Sequence, residues 1–223
     1  MYIEPIQGYQ SSDVSELVAK ITQYIQSGDI KCITRVEKWT NSQSDDSVDF
    51  YNGEKKILRL ASLAGGSSLL ATIYTSESDS WVSPNSSALG STKYIYRMYV
   101  LKHGLYFKTS NSNGSTNQKG CIFLTETKTG ETGVFVRYSS NTGIWDGYFV
   151  AWGDQNPYTS ISFAGKSHTS FTGLLPMPTC NPAGNNSVNA YFMPFTQFSS
   201  YDGLITMNGK KYYTDGSLAF LDE

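Results

Sequence analysis

The segment from Lys93 to Tyr138 constrains the fold more than any other. Lys93-Tyr-Ile-Tyr-Arg-Met-Tyr-Val-Leu-Lys102 runs into His103-Gly104 and leaves as Leu105-Tyr-Phe-Lys-Thr109. Cys121-Ile-Phe-Leu-Thr-Glu-Thr127 then meets Lys128-Thr-Gly-Glu131 and returns as Thr132-Gly-Val-Phe-Val-Arg-Tyr138. Dense β-branched and aromatic residues on both sides of glycine-bearing turns predict two consecutive β-hairpins. Such a sheet is a scaffold, and none of its residues is reactive.

The terminal stretch repeats the theme. Leu204-Ile-Thr-Met207, Asn208-Gly209, Lys210-Lys-Tyr-Tyr213, Thr214-Asp-Gly-Ser217 and Leu218-Ala-Phe-Leu221 describe a three-stranded meander. Asn208-Gly209 suits a two-residue turn that sets Met207 opposite Lys210. Asn52-Gly53, between Val48-Asp-Phe-Tyr51 and Lys55-Lys-Ile-Leu-Arg-Leu60, predicts a third hairpin. Ile30 to Trp39, Ser68 to Tyr74, Ile144 to Trp152 and Tyr158 to Phe163 supply further strands. The Ser-rich stretch Thr75 to Thr92, broken by Pro84, reads as a surface loop or subdomain boundary. Leu175 to Pro182, with three prolines, cannot continue a ladder and reads as a traverse.

One helix is expected, over Ser11 to Gly28. Val14, Leu17, Val18, Ile21, Tyr24 and Ile25 share one apolar face. Asp13 and Glu16 suit a capping box, and Gly28 a left-handed C-cap. That face either covers the sheet or plugs into another protein. The fold class is therefore all-β, an antiparallel sandwich-like core with one N-terminal amphipathic helix and a C-terminal three-stranded meander. The expected division is 1–29 for the helix segment, 30–175 for the main β domain, and 176–223 for the traverse and meander.

Composition narrows the function classes. Charged residues make up only 16% of the 223 residues and the net charge is −2, so nucleic acid is not expected as a partner. Tyr, with 16 copies, is the commonest aromatic and suits half-buried strands. The N-terminus lacks a basic segment followed by an apolar one, and Ile57 to Tyr74 is too interrupted to span a membrane. Cys32, Cys121 and Cys180 are scattered, no Cys-x-x-Cys occurs, and His103 and His168 add no zinc spacing. No cofactor or metal is expected. Asp45, Asp46 and Asp49, or Glu77 with Asp79, are acidic loop residues without an EF-hand spacing. Gly165-Lys166-Ser167 lacks the upstream glycine of a phosphate loop. No Gly-x-Ser-x-Gly elbow is present, so the chain is not expected to be an enzyme.

Asn189-Ala-Tyr-Phe-Met-Pro-Phe-Thr-Gln197, Gly203 to Glu223, and the central Tyr94-Ile-Tyr-Arg-Met-Tyr with its turn glycine and Leu105-Tyr-Phe107 carry a family resemblance. They resemble structural proteins of tailed bacteriophages and prophages of Gram-positive gut bacteria. The resemblance covers the C-terminal half and supplies no catalytic residue. It implies a virion component made in the host cytoplasm, such as a capsid decoration, head-fibre, neck or tail-accessory protein. Such a component binds other virion proteins, and a symmetric homo-oligomer is expected. Candidate partner-binding residues are Leu17, Ile21, Tyr24, Tyr212 and Phe220. The alternative is a carbohydrate- or receptor-binding module of the particle, with Trp81, Trp145 and Trp152 as candidate stacking platforms for a host surface glycan.

Overall fold

The structure, a computed structural model, describes residues 2–3, 11–40, 46–62, 69–78, 80–82, 94–101, 104–110, 120–126, 132–138, 146–152, 160–162, 192–194, 203–207, 209–214 and 218–222. Among the described residues strand content dominates, in three antiparallel sheets with one helix near the N-terminus. The Pro-rich traverse, Gly165-Lys166-Ser167 and His103 lie outside the described residues.

Helix α1 spans Ser11–Ser27. Val14, Leu17 and Ile21 recur at the spacing of one face and are buried, with Val18, Tyr24 and Ile25 packed against the same core. Gly28, at φ 78°, ends the helix. Its N–H donates to Ile25 O at 3.1 Å and the Asp29 N–H to Tyr24 O at 3.0 Å. These bonds satisfy two terminal carbonyls in a Schellman arrangement. The start differs from expectation. Helical backbone begins at Ser11, which puts Asp13 inside the first turn, and Glu16 pairs with Lys20 at 2.8 Å instead of reaching back to a cap.

Five strands follow as a meander: β2 (Arg35–Thr40), β3 (Asp46–Asn52), β4 (Lys55–Ser62), β5 (Leu69–Tyr74) and β6 (Ser80–Val82). Strand β2 begins five residues later than Ile30. The intervening segment buries Ile30, Cys32 and Ile33, and its polar groups go elsewhere than into a ladder. Thr132 Oγ1 donates to Cys32 O at 2.9 Å, and the Thr34 N–H donates to Tyr51 O at 2.8 Å. The apolar pattern there marks a core crossing, not a strand. Strand β6 falls inside the stretch expected to be loop, because Ile73 and Trp81 pair across a return of the chain.

The seven-stranded sheet is built on the two expected hairpins. β7 (Tyr94–Leu101), β8 (Gly104–Ser110), β9 (Gly120–Glu126) and β10 (Thr132–Tyr138) continue into β11 (Asp146–Ala151) and β12 (Ser160–Ser162). Strand β1 (Tyr2–Ile3) adds to the far side of β7. Gly104 opens β8 because nothing larger fits. A Cβ there would lie 2.2 Å from Leu124 O and 2.7 Å from the Phe123 ring.

Alternation gives the two faces of this sheet different partners. Met98, Val100, Leu105, Phe107, Ile122, Leu124 and Val134 join one core with α1 and with Val48, Phe50, Leu58, Leu60 and Ile73 of the five-stranded sheet. Phe50 meets Phe107 edge-on across the layers, with centroids 5.8 Å apart. The opposite face carries Tyr99, Tyr106 and Phe123. It receives the C-terminal sheet, in which β13 (Phe192–Pro194) adds to the meander of β14 (Gly203–Met207), β15 (Lys210–Thr214) and β16 (Leu218–Leu221). Tyr213 stacks on Tyr99 at 3.9 Å, while Phe220 lies 4.7 Å from Tyr106 and 4.5 Å from Phe123. The seven-stranded sheet is therefore the middle of three layers.

Candidate functional site

The most organised polar surface lies on the outer face of the five-stranded sheet. Along β2, Val36 enters the core and Lys38 reaches Ser15 of α1, so Arg35, Glu37 and Trp39 point the other way. Register carries that face across the sheet. Glu37 is opposite Asp49, Asp49 opposite Arg59, and Arg59 opposite Thr72. The neighbouring row runs Arg35, Tyr51, Lys56. A register shift after Phe50 permits this, since Ile57 and Leu58 are both buried while Lys56 returns to the outer side.

Asp49 is the centre of the array. Arg59 grips its carboxylate through Nε and Nη2, each at 2.7 Å, and Lys56 Nζ lies 2.9 Å from Oδ2. Bidentate guanidinium–carboxylate pairing is among the strongest charge-assisted arrangements. Although it points away from the core, the Asp49 side chain is only 4% exposed. Burial pushes its carboxyl up, but the hydrogen bonds and charges of Arg59 and Lys56 outweigh this and hold it below the usual range. The Lys56 ammonium is pushed down by desolvation and raised more strongly by Asp49, with a net rise.

Rings sandwich the cations. The Arg59 guanidinium lies 4.8 Å from the Trp39 centroid and that of Arg35 4.1 Å from Tyr51. Lys56 Nζ sits between Tyr51 and Tyr74, at 5.5 and 5.4 Å. Arg35 also pairs with Glu37 at 3.2 Å. Each cation–π contact of this kind contributes about 0.5–1 kcal/mol at an exposed site. Trp39 nevertheless leaves 46% of its surface in water. Ion pairs and ring contacts thus stiffen this face.

The residues singled out in the sequence fall elsewhere. Leu17, Ile21 and Phe220 are fully buried and Tyr212 nearly so, while Tyr24 is half-buried against the same core. The apolar surface of Leu17, Ile21, Tyr212 and Phe220 is spent inside this chain, which corrects their assignment to a partner-facing surface and leaves the helix face its sheet-covering reading; Tyr24 is only partly covered. Trp152 is half-buried with Lys55 Nζ 5.7 Å from its ring. Trp81 lies on β6, with its side chain outside the described residues, as is all of Trp145. Asp49 is no loop ligand for calcium, because Arg59 and Lys56 occupy its oxygens. Asp45 and Asp79 lie outside the described residues. Among the described residues no group of three His, Cys, Asp or Glu is placed to hold a metal ion, and no helix is long and apolar enough to cross a membrane. Cys32 is buried, which pushes its thiol up to about 12.

Trp39, Tyr51 and Arg59 were not among the sequence candidates, and Asp49 was read there only as an acidic loop residue. A signal for Trp39 existed in the alternation of β2, which puts it in line with Arg35 and Glu37. The chain matches no protein-family model, no curated protein and no solved structure.

Proposed function

We propose that the chain is a non-enzymatic structural component of a tailed-phage particle, made in the host cytoplasm and incorporated by contact with other virion proteins and copies of itself. The observation that carries this reading is the Trp39–Arg59–Asp49 array. Trp, Tyr and Arg concentrate at the centres of protein contact surfaces, where ordered side chains lose little entropy on docking. Here Trp39, Tyr51, Arg35 and Arg59 are held in place by neighbouring rings and charges. The resemblance at Asn189–Gln197 and Gly203–Glu223 supports the same reading.

Particles purified from a producing culture provide the test. The chain should band with them on a density gradient and appear in their mass spectrum, and Trp39→Ala should reduce its incorporation. Particles that lack the chain overturn the proposal. A second reading, a glycan-binding module, draws on the half-exposed Trp39 ring on a sheet face, since sugar rings stack on such platforms. Sub-millimolar binding on a glycan array, lost in Trp39→Ala, selects it.

A further inference from the structure

The Trp39 face has a charge balance that selects its occupant. Among the described residues three cations, Arg35, Lys56 and Arg59, share it with two carboxylates, Glu37 and Asp49. Glu37 is engaged by Arg35, and the single charge of Asp49 is divided between Lys56 and Arg59. The face therefore keeps an excess positive charge on a chain whose net charge is −2. Arg59 spends Nε and Nη2 on Asp49, while Nη1 makes no hydrogen bond among the described residues. That donor belongs to the guanidinium beside the exposed indole.

We propose that this face docks an acidic segment of a partner protein, with an apolar side chain against Trp39 and carboxylates on Arg59 Nη1 and Arg35. Complementary charge raises the encounter rate and fixes register, and the apolar contact slows release. A neutral sugar fits less well. It gains nothing from the excess positive charge, and both oxygens of Asp49 are already taken by Arg59 and Lys56. The inference rests on the assembly reading and names the chemistry of the contact.

Calorimetric titration of the full chain with a random glutamate–tyrosine copolymer tests it, with a lysine–tyrosine copolymer and polygalacturonate in parallel. Binding is expected for the glutamate–tyrosine copolymer alone, and it should weaken steeply as salt is raised, because exposed charges are screened. Trp39→Ala and Arg35→Gln should each weaken it about tenfold or more, as truncation of a contact anchor does. Both side chains are substantially exposed, so the variants should melt near wild type. No binding by the wild type, or equal binding by folded Trp39→Ala, overturns the inference. Tighter binding of polygalacturonate also overturns it and gives the face to an acidic saccharide. If Trp39→Ala abolishes incorporation into particles but the copolymer never binds, the acidic occupant falls and the assembly reading stands. If the copolymer binds as expected but particles lack the chain, the assembly reading falls alone.

Discussion

The two faces of the seven-stranded sheet solve the same problem with different side chains. Toward α1 and the five-stranded sheet the sheet offers Met98, Val100, Leu105, Ile122, Leu124 and Val134, with Phe107 as the aromatic member. Toward the C-terminal sheet it offers Tyr99, Tyr106 and Phe123, met by Tyr213 and Phe220. The first interface draws on a helix and two sheets, so many aliphatic groups share the burial. Among the described residues the second places its burial in large rings, each of which removes about 150–250 Å² from water. A layer packed through a single sheet face can separate while the rest of the molecule stays folded. The aliphatic interface cannot open without dismantling the core.

Phe107→Ala should have the largest effect. The ring is fully buried and bridges to Phe50 across the layers, so its loss should cost about 3–5 kcal/mol. Urea unfolding should show one transition moved to lower denaturant, with all three sheets lost together. Phe220→Ala removes a ring of equal size from the other interface. It should instead raise amide exchange selectively across 203–221 and leave β2 to β5 protected, since sub-global opening follows the least-buried unit. If both variants unfold globally and equally, the distinction between the interfaces is wrong.

How far the sequence showed this comparison depends on whether the information was local. The period-two pattern through Met98-Tyr99-Val100 and Leu105-Tyr106-Phe107 separates two faces without any structure, with Phe107 falling on the mainly aliphatic one. What covers the aromatic side was not legible, because the Tyr99–Tyr213 stack joins residues distant in the chain. The helix face was legible from Val14, Leu17 and Ile21, but not that their burial is internal, since a core and a docking surface demand the same spacing. Ile30 to Thr34 misled because a buried crossing and a strand have the same apolar content. Asp49 alternates with Val48 and Phe50 as any solvent-facing acid would. Its burial arises from Arg59 and Lys56 on the neighbouring strand, which only register reveals.

Acid should act on one side of the comparison. The unfolded Asp49 carboxyl titrates near the usual value of about 3.9, and the folded one lower. Between those values the unfolded chain binds more protons, so stability falls as pH falls. The contribution of Asp49 is complete above the unfolded value and is lost as pH drops through the folded one. Urea midpoints measured from pH 6 down to pH 3 should decline below about pH 4, and Asp49→Asn should flatten that limb. The decline should register in the strands of the five-stranded sheet and not selectively in 203–221. An acid limb unchanged in Asp49→Asn would remove this residue from the account.

The smallest effects should come from the two turns that share the dipeptide Asn-Gly. In the C-terminal meander Met207 pairs with Lys210, so the turn falls between them with Gly209 at φ 75°. In the five-stranded sheet Asn52 pairs with Lys55, which moves the loop one residue on, to Gly53 and Glu54, with Gly53 at φ 59°. The dipeptide announces a turn in both places, and strand packing chooses its position. At both glycines a Cβ would meet nothing within 4 Å, so substitution carries only the conformational cost of a left-handed backbone, about 1–2 kcal/mol. Gly53→Ala should lower the global urea midpoint, because β3 and β4 belong to the shared core. Gly209→Ala should leave that midpoint nearly unchanged and raise exchange only in β14 to β16. Equal global shifts for the two variants would show that the C-terminal sheet unfolds together with the core, and that the aromatic interface is as strong as the aliphatic one.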